Sequence, residues 1–316
     1  MSWTLDHLST SLFNSSSWRR FTQQGVGRAV IRGDAYRHLL LRKSYLTSYV
    51  ATLRRPEAFE DMRTLCLFIG HNKSGTSLLG SLLDAHPDAV LPDDMDVLRF
   101  VEAGFSQKQI GHVLANGARR DFLKGRVTAR RVQAYSFLVP GQWQGRYRRA
   151  QVVGDSTSGS TTRRLAQDPA LLDRVRGVAS QAAAGEGTVR FLLVVRNPFD
   201  PISYIMVRGQ RSFENAIDHY FTNCAAVAGL RRRIDAGEVL TVHYEEVVAS
   251  PTAQLARVCD FLGLEADEAY LAACRSVVHP SPERSRERVV WEPRWRREVE
   301  ERMKAYDFLQ GYSFEG

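Results

Sequence analysis

Short, continuous apolar runs alternate along the chain with longer stretches whose apolar positions recur every three or four residues. The first run, TLCLFIG at 64–70, is strand-like and stops in a glycine turn. TSLLGSLLDAH at 76–86 follows, with Leu78, Leu79, Leu82 and Leu83 at helical spacing. Residues 93–135 alternate charged and apolar positions, as helices with polar connectors do. AQVVGD at 150–155 predicts a second strand. GTVRFLLVVRNP at 187–198, apolar between Arg190 and Arg196, predicts the clearest buried strand. DPISYIMVRG then turns helical, and GEVLTVHYEEV at 237–247 returns to strand. SPTAQLARVCDFLGL at 250–264 reads as a helix with Ser250 as N-cap, Pro251 at its first position and Gly263 near its end. A charged helix in 292–309 closes the series. Strands alternating with helices, several strands apolar throughout, predict an α/β fold of three layers. A mostly parallel central sheet is flanked by helices on both faces.

Residues 1–62 read as a helical, basic N-terminal extension, and residues 63–316 as one α/β domain without repeat, low-complexity tract or linker. With 316 residues, 44% of them hydrophobic and 25% charged, the chain can bury a full-sized core. No apolar run is long enough for a membrane span, and the opening residues lack the basic start and apolar core of a secretory signal. Cys66, Cys224, Cys259 and Cys274 do not pair at metal-ligand spacing, so buried free thiols in a reducing, cytoplasmic setting are expected. No metal site, membrane partner or nucleic-acid partner is expected, since no zinc-finger, ribonucleoprotein or helix-turn-helix pattern is present. The net charge of +8, rich in arginine, points to an anionic ligand, which a planar guanidinium suits.

The apolar run at 64–70 opens the most informative stretch, LFIGHNKSGTSLLGSLLDAHPD at 67–88. Gly70 and Gly75 keep the glycine spacing of the nucleoside-triphosphate loop G-x-x-x-x-G-K-[ST]. Thr76, however, stands where the lysine belongs, and the lysine is Lys73, inside the loop. A strand–loop–helix of this kind aims backbone amides and a helix N-terminus at an anion. Thr76 and Ser77 add hydroxyls. Lys73 would lie over a group attached to the first phosphate, which suits a donor with one 5′-phosphate carrying a transferable group; a plain connector between strand and helix is the other reading. VVRNPFDPISY at 194–204 is the partner feature. Arg196 ends the buried strand, where ligands of open parallel sheets sit. With Ser203 it makes a second phosphate clamp, or else Arg196 pairs with a neighbouring carboxylate.

Together these stretches resemble the sulfotransferase family that uses 3′-phosphoadenosine 5′-phosphosulfate (PAPS). The likeness extends through VHYEEVVASPTAQLARVCDFLGL at 242–264 and ERSRERVVW at 283–291, in the family's order. Bacterial members acting on small molecules or carbohydrates are the most similar. The resemblance implies that Lys73 stabilises charge on the leaving phosphate and that Ser74, Gly75, Thr76 and Ser77 hold the 5′-phosphate. It implies that Arg196 and Ser203 hold the 3′-phosphate, with Arg284 closing over it, and that 3′-phosphoadenosine 5′-phosphate (PAP) is the product. Three departures stand out. Ser203 lies seven residues after Arg196 where the family spacing is usually eight, and Tyr204 fills that slot. Ser156 replaces a lysine that many relatives carry after "GD", so a substrate or phosphate contact is either missing or supplied by Arg163 or Arg164. The lysine-glycine that commonly follows the last arginine is absent, so Arg286 or Arg288 would share the role of Arg284.

The implied reaction moves a sulfuryl group to a hydroxyl or amine, whose proton needs a base. Asp94 is the first candidate, ahead of Asp93, Asp96 and His112. His71 and Asp155 are further site candidates. A P-loop kinase or NTPase and a non-enzymatic polyanion binder are the alternative readings. The acceptor is a small molecule or carbohydrate, and a homodimer is a possible assembly.

Overall fold

A computed structural model describes residues 34–126, 136–182 and 185–316. The expected N-terminal extension is therefore described only from α1 (Asp34–Arg54) onward. β1 (Thr64–Gly70) leads into α2 (Thr76–Asp84) and β2 (Ala89–Val90). α3 (Leu98–Glu102), α4 (Gln107–Leu123) and β3 (Val152–Asp155) follow. α5 (Gly159–Gln167) and α6 (Pro169–Ala179) lead to β4 (Thr188–Val195). Next come α7 (Phe199–Gly209), α8 (Phe213–Arg231) and β5 (Val239–His243). α9 (Tyr244–Ala249), α10 (Pro251–Leu262), α11 (Glu268–Arg275) and α12 (Pro293–Met303) complete the order.

The five strands form one sheet in the order β2-β3-β1-β4-β5, and every pair is parallel. Successive side chains of a strand point to opposite faces, so a strand apolar throughout feeds two cores. Leu65, Leu67, Ile69, Phe191, Leu193 and Val195 face one core, against α5, α6 and α8. Cys66, Phe68, Leu192, Val194 and Val242 face the other, against α2, α10 and α11. This is the three-layer α/β architecture that the alternation of elements predicts. All four cysteines are free and buried within these cores, and burial pushes the Cys259 and Cys274 thiols up to about 12. No described helix is long and apolar enough to cross a membrane.

Three expectations change on contact with the structure. The strand expected at 237–247 ends at His243, and Tyr244 begins a helix. That turn is held by Glu245, which accepts the Asn197 backbone N–H at 2.9 Å and the Tyr312 hydroxyl at 2.7 Å. Ser250 stands at the start of α10, but its side chain caps nothing, because α9 runs straight into α10 and the Ser250 carbonyl takes the Gln254 N–H instead. Pro251 and left-handed Gly263 sit as expected. Within 93–135, residues before Leu98 form a strained turn instead of a helix, and 127–135 lie outside the described residues.

The sheet order places β1 between β3 and β4, so the chain leaves the strand ends in opposite directions at β1. Such a switch point opens a crevice at the carboxyl ends of the strands. The parallel register Gly70↔Val194 brings the end of β1 and Arg196, just beyond β4, to the same edge.

Candidate functional site: the crevice at the end of β1

β1 is anchored where it ends. The Gly70 N–H donates to Thr162 Oγ1 at 2.9 Å, and the Gly70 carbonyl accepts from Asn223 Nδ2 at 2.9 Å. Lys73 (φ 70°) and Gly75 (φ 96°) then take left-handed backbone and swing the chain into α2. Gly75 is required twice over. A side chain disfavours that φ, and a Cβ there would lie 2.3 Å from Cδ2 of the Tyr244 ring. Gly75 also leaves α2 without a side-chain cap, so the first-turn amides face the crevice without an intrahelical or cap acceptor.

The loop side chains divide by environment. Ser74 and Thr76 are buried. Ser77 donates its hydroxyl to Asp93 Oδ1 at 3.0 Å. Lys73 is exposed, with its ammonium 5.1 Å from the centroid of the Tyr204 ring and no ion pair among the described residues. Ser158 and Asn72 tie the loop to the start of α5, through Ser158 Oγ donating to the His71 carbonyl at 3.2 Å and the Gly159 N–H donating to Asn72 Oδ1 at 3.2 Å.

Arg196 joins the second feature to the first. It is 7% exposed, and its Nη1 donates to the Lys73 carbonyl at 3.1 Å while Nη2 donates to the Glu283 carbonyl. Its guanidinium lies 4.7 Å from the centroid of the Tyr244 ring. Nε, 3.6 Å from Asp200 Oδ2, is buried without a hydrogen-bond partner. Asp200 was not singled out by the sequence, yet it organises this wall. It accepts from the Arg286 N–H at 2.9 Å and from Arg286 Nη1 at 3.0 Å. Burial outweighs these arginines and holds its carboxyl above the ordinary range. The signal was present in the spacing: Asp200 follows Arg196 by one helical turn.

Ser203 and Tyr204 part company. Ser203 is buried, and its hydroxyl accepts from Trp291 Nε1 at 3.0 Å, which ties α7 to the C-terminal segment. Tyr204, one residue on, stands beside Lys73. Among the three C-terminal arginines, Arg286 is consumed by Asp200, and Arg288 pairs with Glu283 at 2.9 Å. Arg284 is exposed, with Glu287 at 3.6 Å, next to the Glu283 carbonyl that Arg196 touches.

The acidic turn lines the β3 side of the crevice. Asp94 and Asp96 both have φ 52°, a conformation that costs energy outside glycine and must be held by surroundings. Asp155, fully buried at the end of β3, supplies that hold. It accepts from the Val97 N–H at 3.1 Å and the Thr157 N–H at 3.2 Å, and from the Thr157 hydroxyl at 3.0 Å. Burial pushes its carboxyl up to about 7. Asp93 takes hydroxyls from Ser77 and Ser156, and Asp96 pairs with Arg164. Asp94 is the exposed member, with one long contact to the Thr157 hydroxyl at 3.5 Å. His71 is stacked on Tyr220 with centroids 3.8 Å apart, and burial lowers its imidazole to about 3, so it stays neutral and is a poor base. His112 lies elsewhere, edge-on to Phe59 at 5.0 Å on α4.

The sulfotransferase family model matches residues 187–268, the segment that carries β4, Arg196, α7, β5 and Tyr244. A search of curated proteins finds no match to the chain. Among solved structures, the chain is similar to the sulfotransferase domain of the curacin biosynthetic pathway, at 14% identity and TM-score 0.47, covering 78% of this chain and 99% of that one. It is also similar to the sulfotransferase domain of the Synechococcus PCC 7002 olefin synthase, at 18% identity and TM-score 0.44, covering 78% and 96%. A Mycobacterium avium sulfotransferase matches at 11% identity and TM-score 0.45, covering 82% and 81%. Similarity of this degree fixes neither substrate nor site. The family match is confined to residues 187–268, and over that segment the chain is similar to the sulfotransferase family.

Proposed function

We propose that the chain moves a sulfuryl group from PAPS to a hydroxyl or amine of a small molecule or carbohydrate, by in-line displacement. One observation carries the reading. Arg196 donates to the carbonyl of Lys73, so the loop and the end of β4 form a single crevice with two cationic walls. The residues suit an adenosine bisphosphate. The uncapped amides of α2, with Gly75 and Thr76, fit a 5′-phosphate. Arg196, whose buried Nε lacks a partner, and exposed Arg284 fit a 3′-phosphate.

Lys73 supplies the catalytic electrostatics. Negative charge grows on the oxygen bridging to the 5′-phosphate as the sulfur–oxygen bond breaks. An ammonium held there interacts more strongly with the transition state than with the ground state, which lowers the barrier. Tyr204 gives that ammonium an aromatic face to rest on and no competing carboxylate. Asp94, the least engaged of the turn's carboxylates, would take the proton from the acceptor.

A P-loop kinase or NTPase needs a cation where buried Thr76 stands, and a polyanion binder has no use for a lysine set within a tight glycine loop. Titration of the protein with PAP, and separately with ATP and magnesium, distinguishes the readings. Binding of PAP with little response to ATP is expected. A response to ATP and magnesium that exceeds the response to PAP contradicts the transfer reading.

A further inference from the structure

Residues 312–315 brace the wall that carries Arg196, and they reach it by two routes. The first runs through Asn197, the residue next to Arg196. Its Nδ2 donates to the Ser313 carbonyl at 2.8 Å. Its backbone N–H donates to Glu245 Oε1 at 2.9 Å, and Tyr312 donates its hydroxyl to Oε2 of the same carboxylate at 2.7 Å. The second route runs through Arg286. Its Nη2 donates to the Glu315 carbonyl at 3.4 Å, and its Nη1 donates at 3.0 Å to Asp200 Oδ2, the oxygen that faces Arg196 Nε. Between the two routes the Phe314 ring packs edge-to-face on Phe199, with centroids 5.2 Å apart, and carries the Arg296 guanidinium 3.6 Å from its own centroid.

Glu245 is where these contacts become directional. A carboxylate only accepts, so the Tyr312 proton goes to Glu245, and the Tyr312 oxygen accepts from His243 Nδ1 at 3.0 Å. Burial and the neighbouring Glu245 charge push the Tyr312 hydroxyl up, so it stays protonated and remains a donor. Glu245 is thus held by Tyr312 on one oxygen and holds the Asn197 N–H with the other. That N–H belongs to the planar peptide that joins Asn197 to Arg196, so fixing it fixes the direction in which the Arg196 side chain leaves the backbone. A guanidinium whose direction is already set loses less freedom when a phosphate arrives, and binds it more tightly for that reason.

We infer that Tyr312, acting through Glu245, is a positioning residue for Arg196 and sets how tightly the crevice grips the 3′-phosphate. Its hydroxyl is occupied by His243 and Glu245, so it acts on the nucleotide only through the arginine. The inference rests on the assignment of Arg196 to the 3′-phosphate made above, and adds the residue that places the arginine.

The test compares PAP with adenosine 5′-monophosphate, which lacks the 3′-phosphate, by calorimetric titration of the full chain. The ratio of the two affinities reads the 3′-phosphate grip alone. Tyr312→Phe keeps the ring and removes the hydroxyl. It is expected to lower the ratio about tenfold, through weaker PAP binding with the affinity for adenosine 5′-monophosphate unchanged. Tyr306→Phe is the control. Tyr306 donates its hydroxyl to the Phe221 carbonyl on α8 at 3.5 Å, outside this network, and its loss should leave the ratio at the parent's value. An unchanged ratio in Tyr312→Phe overturns the inference. So does an equal fall in both variants, or a loss of adenosine 5′-monophosphate affinity in Tyr312→Phe, because either result makes the hydroxyl a general support of the fold. A parent that binds the two nucleotides equally, or binds neither, removes the role of Arg196 itself and takes the inference with it. The parent's own titrations therefore separate failure of the reading from failure of the inference.

Discussion

Gly75 and Asp155 show how single residues hold the crevice in shape. At Gly75 the backbone is left-handed and the Tyr244 ring occupies the place of a Cβ. Gly75→Ala is therefore expected to cost about 1–3 kcal/mol of stability. Denaturant unfolding measures it, and adding Tyr244→Ala should recover only part of the loss, because the φ strain remains. Asp155 has its folded-state carboxyl raised from 3.8 to about 7 by burial. A raised acid stabilises the fold below its unfolded pKa, and that contribution is lost as pH climbs through the folded value. Between about pH 4 and 8 this single group should thus cost the parent up to ~4 kcal/mol that Asp155→Asn escapes. Unfolding free energies at the two pH values check this, and a parent–variant gap that does not move with pH would contradict it. Lys73 and Arg196 were legible in the sequence because a lysine in a glycine loop and an arginine at a strand end are local patterns. Asp200 and Tyr244 were not assigned a role, because each acts on a residue that only the fold brings near.

At the scale of elements, α7 explains why spacing along a helix matters. Ser203 and Tyr204 are adjacent in sequence but point about 100° apart around the axis. Ser203 turns inward to Trp291, and Tyr204 turns toward Lys73. Ser203→Ala should lower stability by about 1–2 kcal/mol, since the buried indole N–H loses its acceptor. It should leave the dissociation constant for PAP unchanged in titration calorimetry. A large loss of PAP affinity with unchanged stability would return Ser203 to the binding surface. The strands and long helices were readable because apolar periodicity reports burial directly. The turn at 93–97 was not, because two left-handed aspartates are stabilised by Asp155 and Thr157 from a distant strand. The helix at Tyr244 was hidden for a similar reason: Glu245 is held by Asn197 and Tyr312, both far along the chain.

For the molecule as a whole, a parallel sheet with β1 at its centre turns two short motifs into one site. The carboxyl ends of β1 and β4 meet, and the α2 amides, Lys73 and Arg196 converge on one crevice. The excess of positive charge has a place in this picture: several surface arginines pair with carboxylates, while Lys73 at the crevice makes no ion pair among the described residues. The sequence alone could announce an anionic ligand from that excess, but pairing decides where the anion goes, and pairing is a property of the folded surface. The most direct measurement of the central claim is turnover of PAPS by the parent and by Lys73→Ala across a panel of phenols, sugars and amines, read by mass spectrometry. The account predicts a product heavier by one sulfonate group with the parent. With the variant, turnover should fall by about 10²–10³-fold or more while PAP still binds. Undiminished turnover by Lys73→Ala would contradict the role given to the lysine and the mechanism built on it.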